Sequence, residues 1–292
     1  MAILVIAAMI ILRIQVRDAY APFCILLCSA VGFAVPARAG FVNLGLHGQL
    51  VSGALAAVVA LQHWRDHPWF GVCLAVICAS LIGGLAGLIP LALKRLANVS
   101  EVISGVLLTS LLLILGNYVL RFRVQHQNET TISLDDYGQY YHVTLLVAAL
   151  AVILAYVCVW GSGGWVLATG CGESETVLSY SGFRAVPILS ICVATAAIVT
   201  SVGGAARVID QSGVYTNGEF SVIAFSGIIG AVLFGDRPLE LISACAVLSV
   251  LEAARLGLQS NVQLPSQVVA GLEALVLIGL LLRKKRLEAK SR

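Results

Sequence analysis

Ionisable side chains inside apolar segments are the residues of this chain with the greatest potential for chemistry. Glu273 lies well inside the last long apolar segment, and Glu252 and Arg255 stand three residues apart in the segment before it. Residues at this spacing share one face of a helix, and charges within a membrane are costly unless they pair or serve transport. Two interpretations stay open. Glu273 either forms a structural network with Arg255 or binds a substrate or a coupling ion.

Two apolar segments begin with glycine-rich, partly polar sequence. One covers residues 40–49 and the other residues 218–230. If segments two to five and seven to ten form two halves, both stretches occupy equivalent positions, a pattern that indicates a transporter's central site. Broken helices there expose backbone groups to a polar cavity. Packing of helices is the alternative role for these glycines. The predicted substrate pathway consists of Asn43, His47, Gln49, Phe220, Phe225, Ser226 and Glu273, with Phe41 as a further aromatic wall.

Motifs for catalysis or metal binding are absent from the sequence. It contains no HExxH, Walker or GxSxG motif, and its five histidines are scattered. The eight cysteines lie mostly within apolar runs and form no CxxC pair, which favours buried packing over a metal site. The sequence therefore predicts neither an enzyme nor a metal centre, and nucleic-acid binding is not indicated. If ATP drives its function, partner subunits must bind the ATP and Mg²⁺.

Composition points to a membrane-embedded helix bundle. The chain has 292 residues, of which 59% are hydrophobic and 11% charged, with a mean hydropathy of +0.96. Its apolar runs are continuous rather than alternating, which favours helices over a barrel. We predict an all-α polytopic bundle in which residues 1–292 form one transmembrane domain. The ten predicted segments are 2–16, 19–35, 41–61, 69–93, 102–120, 143–166, 185–206, 218–235, 238–258 and 265–282.

The N-terminal apolar run lacks a basic region before it and an obvious cleavage site, so we interpret it as a span rather than a signal peptide. It is short, and whether Met1 is the true start stays open. An even number of segments places both termini on one side. Eleven loop cations fall on the side of the C-terminus and six on the other, which predicts cytoplasmic termini in a bacterial inner membrane.

That topology places residues 121–142 outside and residues 168–184 inside. The outer loop is either simply solvated or a surface that meets an external partner. The inner stretch Gly172–Phe183 is a short amphipathic segment between two apolar spans. Such a segment is what a membrane protein offers to a soluble partner.

Several motifs resemble those of bacterial ABC permeases for simple sugars and nucleosides. Asn43-Leu44-Gly45-Leu46-His47-Gly48-Gln49, followed by Ser52-Gly53-Ala54, resembles the signature N-I/L-G-x-x-G-Q…G-A. Two later stretches, Gly84–Pro90 and Asn98–Ser104, resemble G-x-x-x-G-x-I-P and x-N-E-V-I-S. The inner turn resembles G-x-N-P-x-A-A-x-Y-A-G-I, with Ser174 and Glu175 in place of Asn-Pro. The resemblance covers residues from about 20 to 282.

This resemblance implies a type II-like importer permease. It would pair with a second permease as a homodimer or heterodimer, recruit two ATPase subunits and receive substrate from an external binding lipoprotein. The family likeness assigns ATPase coupling to the inner turn, through Gly172, Glu173, Glu175, Tyr180 and Gly182. The substrates that it allows are nucleosides and simple sugars, with riboflavin close behind. The alternative is a stand-alone ion-coupled secondary transporter that uses Glu273.

Overall fold

The computed structural model describes residues 16–123, 163–210, 219–234 and 238–262, together with Tyr215, Gly279 and short stretches between 146 and 156. Regular structure in these ranges is helical, which confirms the all-α prediction. The number ten stays a prediction, because residues 2–15 and most of 265–282 lie outside the described residues. The helices are α1 Val16–Arg38, α2 Leu46–His63, α3 Pro68–Ala97, α4 Glu101–Arg123, α5 Gly164–Glu173, α6 Glu175–Tyr180, α7 Ala185–Asp210, α8 Glu219–Phe234 and α9 Pro238–Val262.

Three of these helices are long and apolar enough to cross a membrane. They are α3, the Glu101–Leu120 part of α4, and α7. Pro22–Arg38 and Phe220–Leu233 are shorter apolar helices. A helix satisfies its own backbone hydrogen bonds, and this allows such apolar segments to lie in lipid. The described part of the chain therefore has the character of a multi-pass membrane protein.

Helix α7 occupies the centre of the described bundle. It packs against α1, α2 and α3, while α8 and α9 pack on α1, and α4 packs on α2 and α3. Half of the apolar stretch of α7 is buried within the chain, compared with 22% for α4. The outer face of α4 therefore remains available to lipid or to another protein.

The crossing of α2 and α7 brings two backbones into direct contact. A Cβ atom on Gly53 would fall on the carbonyl oxygen of Ser201, and one on Gly204 would fall on the carbonyl oxygen of Leu50. Each helix thus presents a glycine to the backbone of the other. Small residues allow such close approach between helices in membranes, and no larger side chain fits at either position.

Small residues on other helices also allow close packing. A Cβ atom on Gly83 or Gly87 of α3 would collide with side chains of α7. On α8, a Cβ atom on Gly227 would meet the hydroxyl of Ser29 on α1. Packing therefore accounts for these glycines.

The two glycine-rich starts differ in structure. Gly40 adopts a left-handed backbone, φ +78°, and α2 begins only at Leu46, after a short non-helical stretch. By contrast, α8 runs without a break through Gly227 and Gly230. Gly227 and Gly230 pack against neighbouring helices rather than interrupt the helix. A non-helical stretch therefore precedes α2, whereas the described residues 219–230 of the second stretch are continuous helix.

Candidate functional site

One end of the described bundle gathers charged side chains from five helices. The end of α1, the α3–α4 junction and the α5–α6 stretch meet here, and we call this region the α6 end. Hydrogen bonds tie these elements together across long sequence separations, as between Arg38 and Thr169 and between Arg95 and Glu175. The predicted inner turn therefore lies beside Arg38, Lys94 and Arg95. These are three of the eleven loop cations that are predicted to lie on the side of the C-terminus.

Helix α6 forms because its first residues supply a hydrogen-bond acceptor for a backbone N–H group at its N-terminus. Ser174 is the N-cap in an extended conformation, and its Oγ accepts a hydrogen bond of 3.3 Å from the backbone N–H of Val177. Serine is a favoured N-cap, and an acidic residue in the first turn, here Glu175, interacts well with the helix dipole. The helix is followed by Gly182 at φ +83°. Ser174-Glu175 therefore provides a proper helix start where the family motif has Asn-Pro.

Apolar side chains of α6 divide between the bundle and the surface. Leu178 is buried, whereas Tyr180 is 88% and Val177 64% exposed. Phe183, just after the helix, is half-exposed. Contiguous exposed apolar side chains mark interaction surfaces. We call Val177, Tyr180 and Phe183 the α6 patch.

The carboxylate of Glu175 is engaged by Arg95 at the end of α3. The guanidinium donates two hydrogen bonds, Nη1 to Oε2 at 3.1 Å and Nη2 to Oε1 at 2.5 Å. This hydrogen bonding holds the pKa of Glu175 below its usual value. A carboxyl group whose pKa is lowered in the folded state stabilises that state above its unfolded pKa, and the benefit is lost as pH falls through the lowered value. The pair is therefore intact at neutral pH.

A second ion pair closes the α3–α4 junction. Lys94 Nζ lies 2.9 Å from Glu101 Oε1, and the same ammonium lies 5.6 Å from the ring centre of Phe41. Phe41 itself is buried. The structure thus places Phe41, predicted as a pathway wall, against a cation at the α6 end.

The end of α1 is held against α5. Arg38 Nε donates a 2.8 Å hydrogen bond to Thr169 Oγ1, and its guanidinium carbon lies 5.1 Å from the ring centre of Trp165. Beside it, a Cβ atom on Gly172 would fall on the carbonyl oxygen of Arg38, and one on Gly40 would lie 3.0 Å from Gly172 Cα. Gly172 is therefore required for close backbone contact.

Glu173 differs from its neighbour Glu175 in its surroundings. Its side chain is exposed and borders a cavity of about 320 Å³ between α1, α5 and α8, which Arg38 and Thr169 also line. Of the predicted coupling residues, Glu175 and Gly172 contact the bundle, whereas Tyr180 points outward. Gly182 has open space around its Cα. The sequence did not reveal that Arg95 binds Glu175. The only available signal was that Lys94 and Arg95 directly follow a long apolar segment.

Among the predicted pathway residues, Asn43 and Gln49 contact each other. Asn43 Nδ2 donates to Gln49 Oε1 at 3.1 Å and to the carbonyl oxygen of Gly32 at 3.0 Å, and Gln49 Nε2 donates to Asn43 Oδ1 at 3.2 Å. Both side chains are buried. This amide pair fixes the turn into α2 against α1.

Replacing Asn43 by alanine is expected to destabilise the protein by about 1–3 kcal/mol, because the amide of Gln49 and the carbonyl of Gly32 each lose a buried hydrogen-bond partner. The thermal midpoint of the detergent-solubilised protein measures this change. Ser110→Ala is the control, since that hydroxyl is exposed and bonds only to its own helix at Val106. Equal midpoints for Asn43→Ala and the control would contradict the prediction.

The other pathway residues are dispersed. His47 is half-buried in the first turn of α2, and Ser226 is buried on α8. Phe220 is buried and stacks on Tyr215 at a ring distance of 5.5 Å, whereas Phe225 is 61% exposed. Glu273 lies outside the described residues, as does the side chain of Arg255. Helices α2 and α8 contact each other.

A larger cavity of about 550 Å³ lies between α2, α3 and α4. Its walls are mainly apolar, with Ser52 from within α2 and the rings of His63 and Trp64 at the α2–α3 turn. None of the described pathway residues lines it. Among the described residues, no cluster of His, Cys, Asp and Glu could hold a metal ion.

Comparison with known proteins identifies relatives of this chain. A family model described as "Branched-chain amino acid transport system / permease component" matches residues 18–282. The guanosine ABC transporter permease protein NupP of Bacillus subtilis is 26% identical over 267 residues, which cover 85% of this chain and 75% of that protein. The nucleoside ABC transporter permease protein NupB of Lactococcus lactis is 24% identical over 275 residues, covering 86% and 75%.

A shorter match and a solved structure extend the comparison. A putative glucose ABC transporter permease protein of Haloferax volcanii is 31% identical over 87 residues, which is 30% of this chain and 25% of that protein. The structure of PsaBC from Streptococcus pneumoniae in complex with Fab has a TM-score of 0.55 at 12% identity. It covers 97% of this chain and 95% of the solved one. At that identity the likeness concerns the fold alone.

Proposed function

The chain belongs to the family of branched-chain amino acid transport system permease components, and from that premise we propose that it carries a nucleoside across the bacterial inner membrane. It is a multi-pass membrane protein and the permease subunit of an ABC transporter. The observation that carries the substrate class is the match to guanosine and nucleoside permeases along 85% and 86% of this chain. The match to a glucose permease covers only 30% of it.

The α6 patch supports the proposed contact with an ATPase. It is exposed, apolar and carried on a short capped helix beside the cationic ends of α1 and α3. An amphipathic helix of this kind binds through its apolar face to a groove in the partner. We propose that the α6 end is cytoplasmic, that ATPase subunits bind it, and that those subunits hold ATP and Mg²⁺.

The remaining partners follow from the same proposal. A second permease completes the transmembrane unit, and an external binding lipoprotein delivers the nucleoside. In this arrangement ATP binding closes the ATPases and moves α6, and the bundle switches between outward-open and inward-open states. The pathway needs only weak contacts with the nucleoside, since it must release what it admits.

Uptake of tritiated guanosine into vesicles that contain the assembled complex is expected to depend on ATP. Excess unlabelled nucleoside should compete, whereas glucose and riboflavin should not. The same preparation, purified through a tag on this chain, should contain an ATPase subunit and a second permease by mass spectrometry. Efficient competition by riboflavin or glucose instead of nucleosides would contradict the proposed substrate class.

The energy source separates this function from an ion-coupled carrier. Ionophores that collapse proton and sodium gradients are expected to leave initial guanosine uptake unchanged while ATP is present. Replacing the Walker lysine in the partner ATPase should abolish uptake. Loss of uptake with the gradients, in a chain that purifies alone, would contradict an ATP-driven importer and direct attention to Glu273.

A further inference from the structure

We propose that the Arg95–Glu175 pair is a mechanical clasp that makes α6 move together with the α3–α4 hairpin. The inference rests on the proposed function, because it concerns how an ATPase acting on α6 moves the bundle. Arg95 and Glu175 are then positioning residues, which act through α6 rather than by contacting the nucleoside or ATP. Nothing in the sequence motifs assigns a role to Arg95.

The geometry of the pair suits transmission of a movement. Two parallel hydrogen bonds, of 3.1 and 2.5 Å, join residues that are 80 positions apart in sequence. A bidentate arginine–carboxylate contact fixes orientation as well as distance, whereas a single ion pair fixes distance alone. A displacement of α6 is therefore passed on to the end of α3.

The hairpin that receives this movement is closed on the same side. Lys94 binds Glu101 across the short α3–α4 junction at 2.9 Å, so the end of α3 and the start of α4 are tied together. Helix α4 is the least buried of the three candidate spans. A pull on Arg95 thus acts on a hairpin in which most of the α4 span is not buried within the chain.

On its opposite side, the α5–α6 stretch is held to the end of α1 by a close backbone contact as well as by the side chain of Arg38. Gly172 lies against Gly40 and the carbonyl oxygen of Arg38, with no room for a Cβ atom. A contact between two backbones changes little as one element tilts on the other, provided that their separation is kept. We therefore assign Gly40 and Gly172 as the pivot and the clasp as the point that moves.

The clasp also changes the role of Glu175 in docking. Its two carboxylate oxygens are both used by Arg95, whereas the ring of Tyr180 is 88% exposed. On this proposal the α6 patch contacts the ATPase, and Glu175 connects α6 to the bundle through Arg95. This distinction makes the two roles separable by mutation.

Charge reversal tests the clasp in the complete complex in vesicles. Arg95→Glu and Glu175→Arg are each expected to lower guanosine uptake per ATP hydrolysed by about tenfold, within the range usual for coupling between sites. The ATPase subunits should still purify with the chain. The double variant R95E/E175R restores an opposite-charge pair and should recover most of the lost coupling. Arg65→Gln, an exposed arginine in the α2–α3 turn, is the control for loss of a cation.

Each outcome is decisive. Recovery in the double variant, with the thermal midpoints of the single variants equal to wild type, supports the clasp. A direct ATPase contact by Glu175 would not be rescued, and a general loss of stability would lower those midpoints. The clasp would be overturned if the single variants kept wild-type uptake per ATP hydrolysed. It would also be overturned if this ratio were as low in the double variant as in the single variants. If the reversals prevent assembly, Glu175→Gln keeps the size of the side chain, and coupling equal to wild type would then overturn the proposal. Failure of the wild-type complex to take up guanosine would overturn the proposed function itself.

Discussion

Replacing Gly204 by alanine is expected to abolish folded protein in the membrane. A Cβ atom there falls on the carbonyl oxygen of Leu50 and lies 2.8 Å from its carbonyl carbon. Overpacking in a core commonly costs about 1–3 kcal/mol where side chains can adjust. Here the obstacle is backbone, so α2 and α7 must separate and the cost is expected to exceed that range. In Gly53→Ala the added Cβ atom would collide with the backbone of Ser201, so we expect the same loss of folded protein.

Monodisperse yield in mild detergent and the thermal midpoint measure this effect. Gly84→Ala is the matched control, because Gly84 is also buried between α3 and α7, but its Cβ would lie 3.3 Å from a side-chain carbon of Ile198. That side chain can move, so the control should fold normally. A Gly204→Ala protein as stable as the control would contradict direct backbone contact at the α2–α7 crossing.

Replacing Tyr180 by aspartate is expected to remove the ATPase subunits from the purified complex and to abolish guanosine uptake. Aromatic anchors at the centre of an interface commonly contribute about 2 kcal/mol or more when truncated, and a buried unpaired carboxylate adds a further cost. Because Tyr180 is 88% exposed, the fold itself should be unaffected. Co-purification and the thermal midpoint, measured together, separate docking from stability.

Two variants define the specificity of this effect. Tyr180→Phe keeps the apolar ring and is expected to retain the ATPase subunits. Leu96→Asp places the same charge at an equally exposed position, 88%, at the end of α3, outside the α6 patch. Equal loss of ATPase subunits in the aspartate variants of Leu96 and Tyr180 would show a general effect of negative charge at the α6 end and contradict docking through Tyr180.

The helices were predictable because an apolar segment in a membrane has few alternatives. The first residues of α3, α7 and α9 differ from the first residues of the predicted segments by at most one position. Helix α2 begins later than expected, at Leu46, because Asn43 and Gly40 shape a turn whose partners, such as Gly32, are supplied by another helix. Hydropathy does not register such tertiary contacts.

The candidate site was predictable where a local pattern carries it. The amphipathic turn around Tyr180 is visible in the sequence, and the structure shows a capped helix with that ring outward. The partner of Glu175 was not predictable, since Arg95 approaches from a distant part of the chain. Asn43 and Gln49 were selected as pathway residues by their polarity. Their mutual pairing in the structure reflects the need to satisfy buried amides.

The position of α7 has a consequence for biosynthesis. Helices α1, α2 and α3 precede α7 in the chain, yet all three pack on it. The glycine-lined surfaces of α2 and α3, at Gly53 and Gly83, have no partner until α7 leaves the ribosome and enters the bilayer. During that interval lipid or an insertion factor must cover those surfaces. The bundle therefore assembles around a helix that is synthesised after three of its neighbours. A chain that terminates before Ala185 lacks the helix at the centre of the bundle.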